Sequence, residues 1–148
     1  MVHALEEIRR LLKPTGVLID IHPVVTASPI EIHHGGNIDL VDNLLVRQWC
    51  TDYQQADSAL AEIAQRGLFA VERETVFDSL IHYTSVEEMR ASQKESIEFF
   101  ARDAQSALEA APQAAALAPR AEELMRAASS GAELIIREPT HISRLRRT

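Results

Sequence analysis

The stretch VHALEEIRRLLKPTGVLIDIHP, residues 2–23, decides the fold. Residues 2–12 place four apolar side chains on one helical stripe with charged residues opposite, which predicts an amphipathic helix. Lys-Pro-Thr-Gly at residues 13–16 ends that helix, and the apolar run 17–22, closed by Pro23, is typical of a buried, parallel-type strand. A helix that leads into such a strand predicts an α/β fold, and we expect the chain to form the later part of a larger sheet.

Composition limits the classes of protein that fit. The chain has 148 residues, is 46% hydrophobic and 25% charged, and carries a net charge of −7. These values predict one globular domain over residues 1–148. Nucleic-acid binding is not expected, because it depends on dense Lys and Arg faces. Cys50 is the only cysteine, which rules out an intrachain disulfide. No segment resembles a membrane span or a signal peptide, so we expect a cytoplasmic protein with no membrane partner.

The middle of the chain predicts a hairpin, a helix and a long strand. Alternating apolar residues around Gly35-Gly36 indicate a β-hairpin over residues 29–40, within a lobe at 24–48. Residues 52–66 have helical periodicity and precede a glycine suited to a helix end. Residues 68–81 alternate in polarity, which favours one long, half-exposed antiparallel strand.

The C-terminal part predicts a helical insertion followed by a last strand. Ser85 and Glu88 have the spacing of a capping box, so a helix should begin there and open the insertion at residues 85–130. The prolines at 112 and 119 predict that this helix stops near residue 111 and that a second one covers 120–128. Residues 132–137 then form a clear strand, followed by Pro139 and a tail.

The order of these elements, together with the segment ALEEIRRLLKPTGVLID at residues 4–20, resembles the C-terminal half of a class I S-adenosylmethionine-dependent methyltransferase. In that family a helix reaches a Leu-Lys-Pro-Gly-Gly turn and enters the fifth strand; Thr15 stands here in place of the first glycine. Residues 52–78 are similar to the family's last large helix and sixth strand, and residues 132–145 to its seventh. The resemblance implies an α/β fold built on a partial Rossmann-like methyltransferase sheet. Its C-terminal strands end in an antiparallel one, with a β-hairpin lobe and a helical insertion.

The same resemblance sets the functional expectation. In the intact family S-adenosylmethionine donates a methyl group, here to an unidentified small molecule. The family's glycine-rich loop and ribose-binding acidic residue have no counterpart in this chain. Gly35-Gly36 follows a hairpin strand and cannot replace that loop. We therefore assign no cofactor-binding residue, expect no cofactor on this chain alone, and expect the isolated chain to be inactive.

Asp20 and His22 are the candidate catalytic residues. They share one face of the strand at 17–22 and stand at its carboxyl end, where open α/β sheets bind their ligands. His22 would act as a general base and Asp20 as the carboxylate that orients it. The alternative is that both side chains bind loop amides beside Pro23. We predict no metal site, because the adjacent histidines His33 and His34 point to opposite faces of a strand.

Partners and further functions follow from an uncovered strand. The strand at 17–22 would expose an unpaired apolar edge, so we expect a homodimer or a partner chain to cover it. The alternative functions are a non-catalytic dimerisation or interaction module and a small-ligand-binding protein that uses a pocket between the hairpin and the helices. We also predict that Cys50 is buried and that Phe99 and Phe100 are core residues.

Overall fold

The computed structural model describes residues 1–45, 47–100, 104–128 and 130–148, and the side chains of the same residues except 47–50, 96–100, 104–111 and 114. Within those ranges the protein is a mixed α/β fold with four helices and an open, antiparallel five-stranded sheet. The elements are α1 (Val2–Leu11), β1 (Val17–Pro23), β2 (Ser28–His34), β3 (Asn37–Leu44), α2 (Arg47–Gln65), β4 (Phe69–Tyr83), α3 (Val86–Phe100), α4 (Ala104–Ala127) and β5 (Glu133–Arg147). None of the described helices is long and apolar enough to cross a membrane.

The chain contacts divide it into two compact units. Unit 1 consists of Met1–Val25, Trp49–Asp78 and Pro139–Thr148, and unit 2 of Thr26–Gln48 and Ser79–Glu138. The hairpin and the helical insertion predicted as separate features therefore belong to the same unit.

Unit 1 packs α1 and α2 against one face of its strands. Its buried core consists of Leu5 from α1, Ala59 and Ile63 from α2, Phe69 from β4 and Leu145 from β5. Burial of each large side chain in such a core contributes about 1.5–3 kcal/mol. The core fixes which face of β1 and β5 lies under the helices, and this is the face that carries the candidate site.

The pairing of β1 corrects one expectation. The apolar run 17–22 predicts a strand that is buried on both faces, yet Ile19 and Ile21 are 48% and 58% exposed. Helices α1 and α2 cover only the other face. β1 pairs antiparallel with β5, from Val17 opposite Arg146 to Pro23 opposite Thr140, and it lies at the edge of the strand order β1-β5-β2-β3. The predicted antiparallel final strand is confirmed by this pairing.

Unit 2 joins the hairpin to the helices. β2 and β3 form an antiparallel pair connected by Gly35 and Gly36, whose φ values of 53° and 82° explain the two glycines. The predicted hairpin is confirmed and extends to Leu44. Residues Ile30 to His33 of β2 pair with β5, and α4 contacts both hairpin strands and α3. The unit buries Ile30, Ile32, Met89, Leu117, Ala121, Leu134 and Ile136.

Two boundary predictions in the C-terminal part are wrong. Helix α4 runs continuously through Pro112 and Pro119 and does not stop near residue 111. The two prolines are seven residues apart, about two helical turns, and both are exposed, so their rings lie on one side of the helix and displace no core side chain. The predicted tail after residue 137 is strand, because β5 exchanges its partner β2 for β1 around Pro139, where a missing N–H is tolerated.

The start of α3 is predicted correctly, with one change in its cap. The Glu88 backbone N–H donates to Ser85 Oγ at 3.1 Å, as in a capping box. The Glu88 carboxylate, however, accepts from the backbone N–H of Thr84 at 2.7 Å and from the Thr84 hydroxyl at 2.8 Å. These bonds lower the pKa of Glu88 below its usual value.

Candidate functional site

The candidate site lies on the helix-covered face of β1 and β5. Asp20 is directly opposite Ser143 in the strand pair, and His22 is opposite His141. Residues two apart on a strand share a face, so the four side chains form one patch. Helix α2 adds Asp57 to it. We call Asp20, His22, Asp57 and His141 the His22 cluster; all its residues belong to unit 1.

His22 is held between two carboxylates. Its Nδ1 is 2.6 Å from Asp20 Oδ2, and its Nε2 is 2.8 Å from Asp57 Oδ1. A carboxylate can only accept a hydrogen bond, so an imidazole that satisfies both partners carries a proton on each nitrogen. His22 is buried, Asp20 is partly buried, and the Asp57 side chain is 56% exposed.

The pKa of His22 reflects two opposing effects. Burial by itself would lower it, because it disfavours the charged ring. The hydrogen bonds to Asp57 and Asp20 outweigh burial and raise the pKa of His22 above 6.5. The protonated ring is therefore favoured in the folded chain, and the cluster retains more negative than positive charge because two carboxylates face one imidazolium.

His141 completes the cluster from β5. Its ring packs edge-on against that of His22, with the centroids 5.3 Å apart. Its Nε2 is 3.7 Å from the Glu74 carboxylate of β4. Its Nδ1 is buried and has no hydrogen-bond partner among the residues that the structure describes, and the same is true of the neighbouring Ser143 hydroxyl. One acceptor or donor in each side chain is thus unused in this part of the molecule.

The sequence predicts half of this arrangement. Asp20 and His22 contact each other as proposed for an orienting carboxylate, and their hydrogen bonds join side chains rather than loop amides. Asp57 and His141 were not predicted. The residue pattern ends the last strand at residue 137 and leaves His141 outside it, whereas the resemblance extends that strand over residues 132–145. Extending the strand through Pro139 would have put His141 and Ser143 on one face, which is the only sequence signal for them.

The hairpin histidines occupy separate ion pairs in unit 2. His33 Nε2 is 2.8 Å from the Glu31 carboxylate, which also accepts from Arg137 at 2.7 Å, while His34 Nε2 is 2.7 Å from Asp39. Burial opposes ionisation of Glu31, but the bonds from His33 and Arg137 lower its pKa below the usual value. We call Glu31, His33 and Arg137 the Glu31 cluster.

Two spaces in the described part of the chain differ in the room they offer a ligand. The space between the hairpin and the helices is lined by Ile30, Met89 and Leu117 and has no room for a water molecule. An open groove of about 440 Å³ lies between α1 and α2, lined by Val2, Gln55 and neighbouring residues. The predicted burial of Cys50 and the predicted core role of Phe99 and Phe100 concern side chains outside the described part of the chain.

Comparison of the chain with protein-family models, with curated proteins and with solved structures finds no match.

Proposed function

We propose that this chain forms the acceptor-side, C-terminal region of a class I S-adenosylmethionine-dependent methyltransferase-like protein that acts on a small molecule. The observation that carries the proposal is the hydrogen-bonded chain Asp20–His22–Asp57 at the carboxyl end of β1. In the mostly parallel sheet that the resemblance implies, ligands bind at that end of the strands. The last strand, β5, is antiparallel to β1, as the resemblance implies, whereas the antiparallel order of the whole sheet is not typical of a Rossmann-like sheet.

The cluster has the parts that a proton acceptor needs. When an O–H or N–H acceptor takes the methyl group, its new bond to carbon forms as the donor's carbon–sulfur bond breaks, S-adenosylhomocysteine leaves, and the acceptor's proton is released. Asp20 accepts the Nδ1–H of His22, which leaves Nε2 of the neutral ring to take up that proton. In the described structure the Asp57 carboxylate is hydrogen-bonded to Nε2, but its half-exposed side chain can turn away when a methyl acceptor binds. The hydrogen bond to Asp20, one of the two that raise the pKa of His22, remains when Asp57 turns away and stabilises the imidazolium that forms.

The binding site for the methyl donor would lie in a second part of the protein. S-adenosylmethionine provides the methyl group in the intact family, and no residue of this chain matches the family's donor-binding motifs. A homodimer partner or a separate chain would therefore complete the site. The exposed edge of β1, with Ile19 and Ile21 about half exposed, offers a surface for that partner.

The first test measures acceptor binding. A panel of phenols, amines, thiols and carboxylic acids is titrated into the isotope-labelled chain, and the His22 ring resonances are followed by NMR. We expect one class to shift them saturably, and the His22→Gln variant to bind it more weakly. The His34→Gln variant is the matched control, because His34 also binds one carboxylate but lies in unit 2. If no class shifts His22 at millimolar concentration while the chain stays folded, the acceptor-side role is wrong.

The second test measures donor binding by isothermal titration with S-adenosylmethionine and S-adenosylhomocysteine. We expect no heat from the chain alone at millimolar ligand. Micromolar binding would contradict the need for a partner, and would point to a donor site within the chain or its dimer.

A second candidate function is a non-catalytic dimerisation or interaction module. It is favoured by the large apolar side chains that β1 and the unit 1 part of β4 leave exposed: Ile19, Ile21, Val71, Val76 and Phe77. Sedimentation velocity at micromolar concentration tests it. We expect a dimer that Ile21→Lys dissociates, whereas Ile38→Lys, an equally exposed change on the hairpin, leaves it intact. A native-like monomer would reject this candidate.

A further inference from the structure

We infer that Asp20, His22 and His141 form a binding site for a divalent first-row transition-metal ion such as Zn²⁺. Each of the three offers one ligand atom, and these atoms all lie within 4.8 Å of one another. Ligands held about 2.1 Å from a tetrahedral ion are roughly 3.4 Å apart. The described side chains therefore need a small rearrangement: His22 Nδ1 and Asp20 Oδ2, now 2.6 Å apart, must separate by about 1 Å or slightly less, on a strand pair whose register already places His22 opposite His141.

The kind of ligand selects the kind of metal. Two imidazoles and one carboxylate suit Zn²⁺, Fe²⁺ and similar ions, whereas Ca²⁺ and Mg²⁺ prefer oxygen ligands only. Three protein ligands leave at least one coordination position for water or a small molecule. Negative charge is also in place, because Asp57 and Glu74 lie near the two rings in addition to the ligand Asp20.

The surroundings of Nε2 in His22 and His141, the ring nitrogens that would face away from the ion, support this assignment. A metal-bound histidine almost always donates its second N–H to a carboxylate, a carbonyl group or water. If Nδ1 of each ring faces the ion, Nε2 of His22 is 2.8 Å from Asp57 and Nε2 of His141 is 3.7 Å from Glu74. Both rings thus have a carboxylate on the side away from the ion.

The unused Nδ1 of His141 is the observation that a purely structural ion cluster does not explain. A protonated His22 satisfies Asp20 and Asp57 without any help from His141. Yet His141 Nδ1, on the ring that packs against His22, is buried and has no hydrogen-bond partner in the described chain. Buried polar atoms in proteins are generally paired. An ion bound between the two rings would pair this atom and would take the place of the Nδ1 proton of His22, which leaves to solvent.

The inference does not depend on the proposed function, since its test uses the metal alone. The full chain is stripped with a chelator, exchanged into mildly alkaline buffer so that imidazoles are neutral, and titrated with ZnCl₂ by calorimetry. The same chain with Co²⁺ is followed by its visible absorption. We expect one ion per chain, and a change in the Nδ1 resonances of His22 and His141 by NMR.

Variants separate this site from surface binding. Asp57→Asn alters only the hydrogen-bond partner of a metal ligand and should weaken Zn²⁺ binding by roughly 10-fold. His141→Gln and Asp20→Asn each alter a metal ligand itself and should weaken Zn²⁺ binding by more than Asp57→Asn does. His34→Gln should leave affinity unchanged. Circular dichroism verifies that each variant is folded. The inference is overturned if the folded native chain shows no saturable Zn²⁺ binding below millimolar, or if His141→Gln and His34→Gln weaken binding equally.

Discussion

The two units contain histidine–carboxylate clusters of opposite composition. In the His22 cluster one histidine lies between the carboxylates of Asp20 and Asp57, whereas in the Glu31 cluster one carboxylate lies between His33 and Arg137. The first has surplus negative charge and an unused ring nitrogen on His141. In the second, the buried carboxylate of Glu31 is paired with the His33 imidazole and the Arg137 guanidinium. The comparison teaches that ion pairing alone does not separate the two clusters, whereas the balance of carboxylates over cationic groups does.

The largest effect is expected when the Glu31 cluster is broken. Glu31→Gln removes a buried negative charge that accepts bonds from His33 and Arg137, so we expect a loss of about 2–3 kcal/mol in the free energy of unfolding, measured in urea. Asp39→Asn, at the half-exposed partner of His34, is the control and should cost about 1 kcal/mol or less. Equal losses in the two variants would show that burial of the Glu31 cluster contributes little.

The two clusters should respond to pH with opposite sign. The pKa of His22 is raised, so the folded chain binds more protons than the unfolded chain from just below 6.5 to above that raised value. The stabilisation from His22 is complete below 6.5 and is lost as pH rises through the raised pKa. The pKa of Glu31 is lowered, so its stabilisation is present above the usual carboxyl value of 4.5 and is lost as pH falls through the lowered pKa.

Unfolding curves across this pH range check the signs. His22→Gln should lower the free energy of unfolding by about 1.5 kcal/mol at acid pH and by progressively less as pH rises. Glu31→Gln should reduce the pH dependence of that free energy on the acid side only. A His22→Gln variant with the pH dependence of the native chain would mean that the ring is not protonated between Asp20 and Asp57.

Ser143 provides a smaller test within the His22 cluster. Ser143 is 2% exposed and its buried hydroxyl has no partner in the described residues, so Ser143→Ala removes a polar group that makes no hydrogen bond there. We expect stability to stay the same or to rise by about 1 kcal/mol. Ser58→Ala, at an exposed hydroxyl that donates to the Gln54 carbonyl, should give no gain. A clear loss in Ser143→Ala would indicate a partner for the hydroxyl.

The smallest effect is expected at the surface of unit 1. Glu72 forms ion pairs with Arg144, at 3.0 Å, and with Arg146. These arginines are about half exposed, so water and salt screen the pairs. Glu72→Gln should lower the free energy of unfolding only slightly in low salt and by still less in high salt. A loss as large as that of Glu31→Gln would remove the distinction between buried and exposed pairs.

Local patterns account for what the sequence could predict. The helix at 2–12, the strand at 17–22 and the Gly35-Gly36 hairpin depend on periodicity and turn residues, and all three are confirmed within a few residues. The continuous α4 was missed because the effect of a proline depends on which side of the helix faces water. In the site, Asp20 and His22 share a strand and could be paired from their spacing. Tertiary contacts bring Asp57 and His141 to the site, and local sequence patterns do not predict such contacts.

The pairing of β1 with β5 has a consequence for how the molecule folds. Paired residues in this ladder are roughly 120 positions apart along the chain, whereas β2 and β3 meet across two glycines. Closing such a long loop costs entropy before its contacts compensate, so the hairpin should form early and the ladder late. His22 and His141 face each other only through that ladder. The candidate site is therefore assembled last, and an ion or ligand that binds there would report on the completion of folding as well as on function.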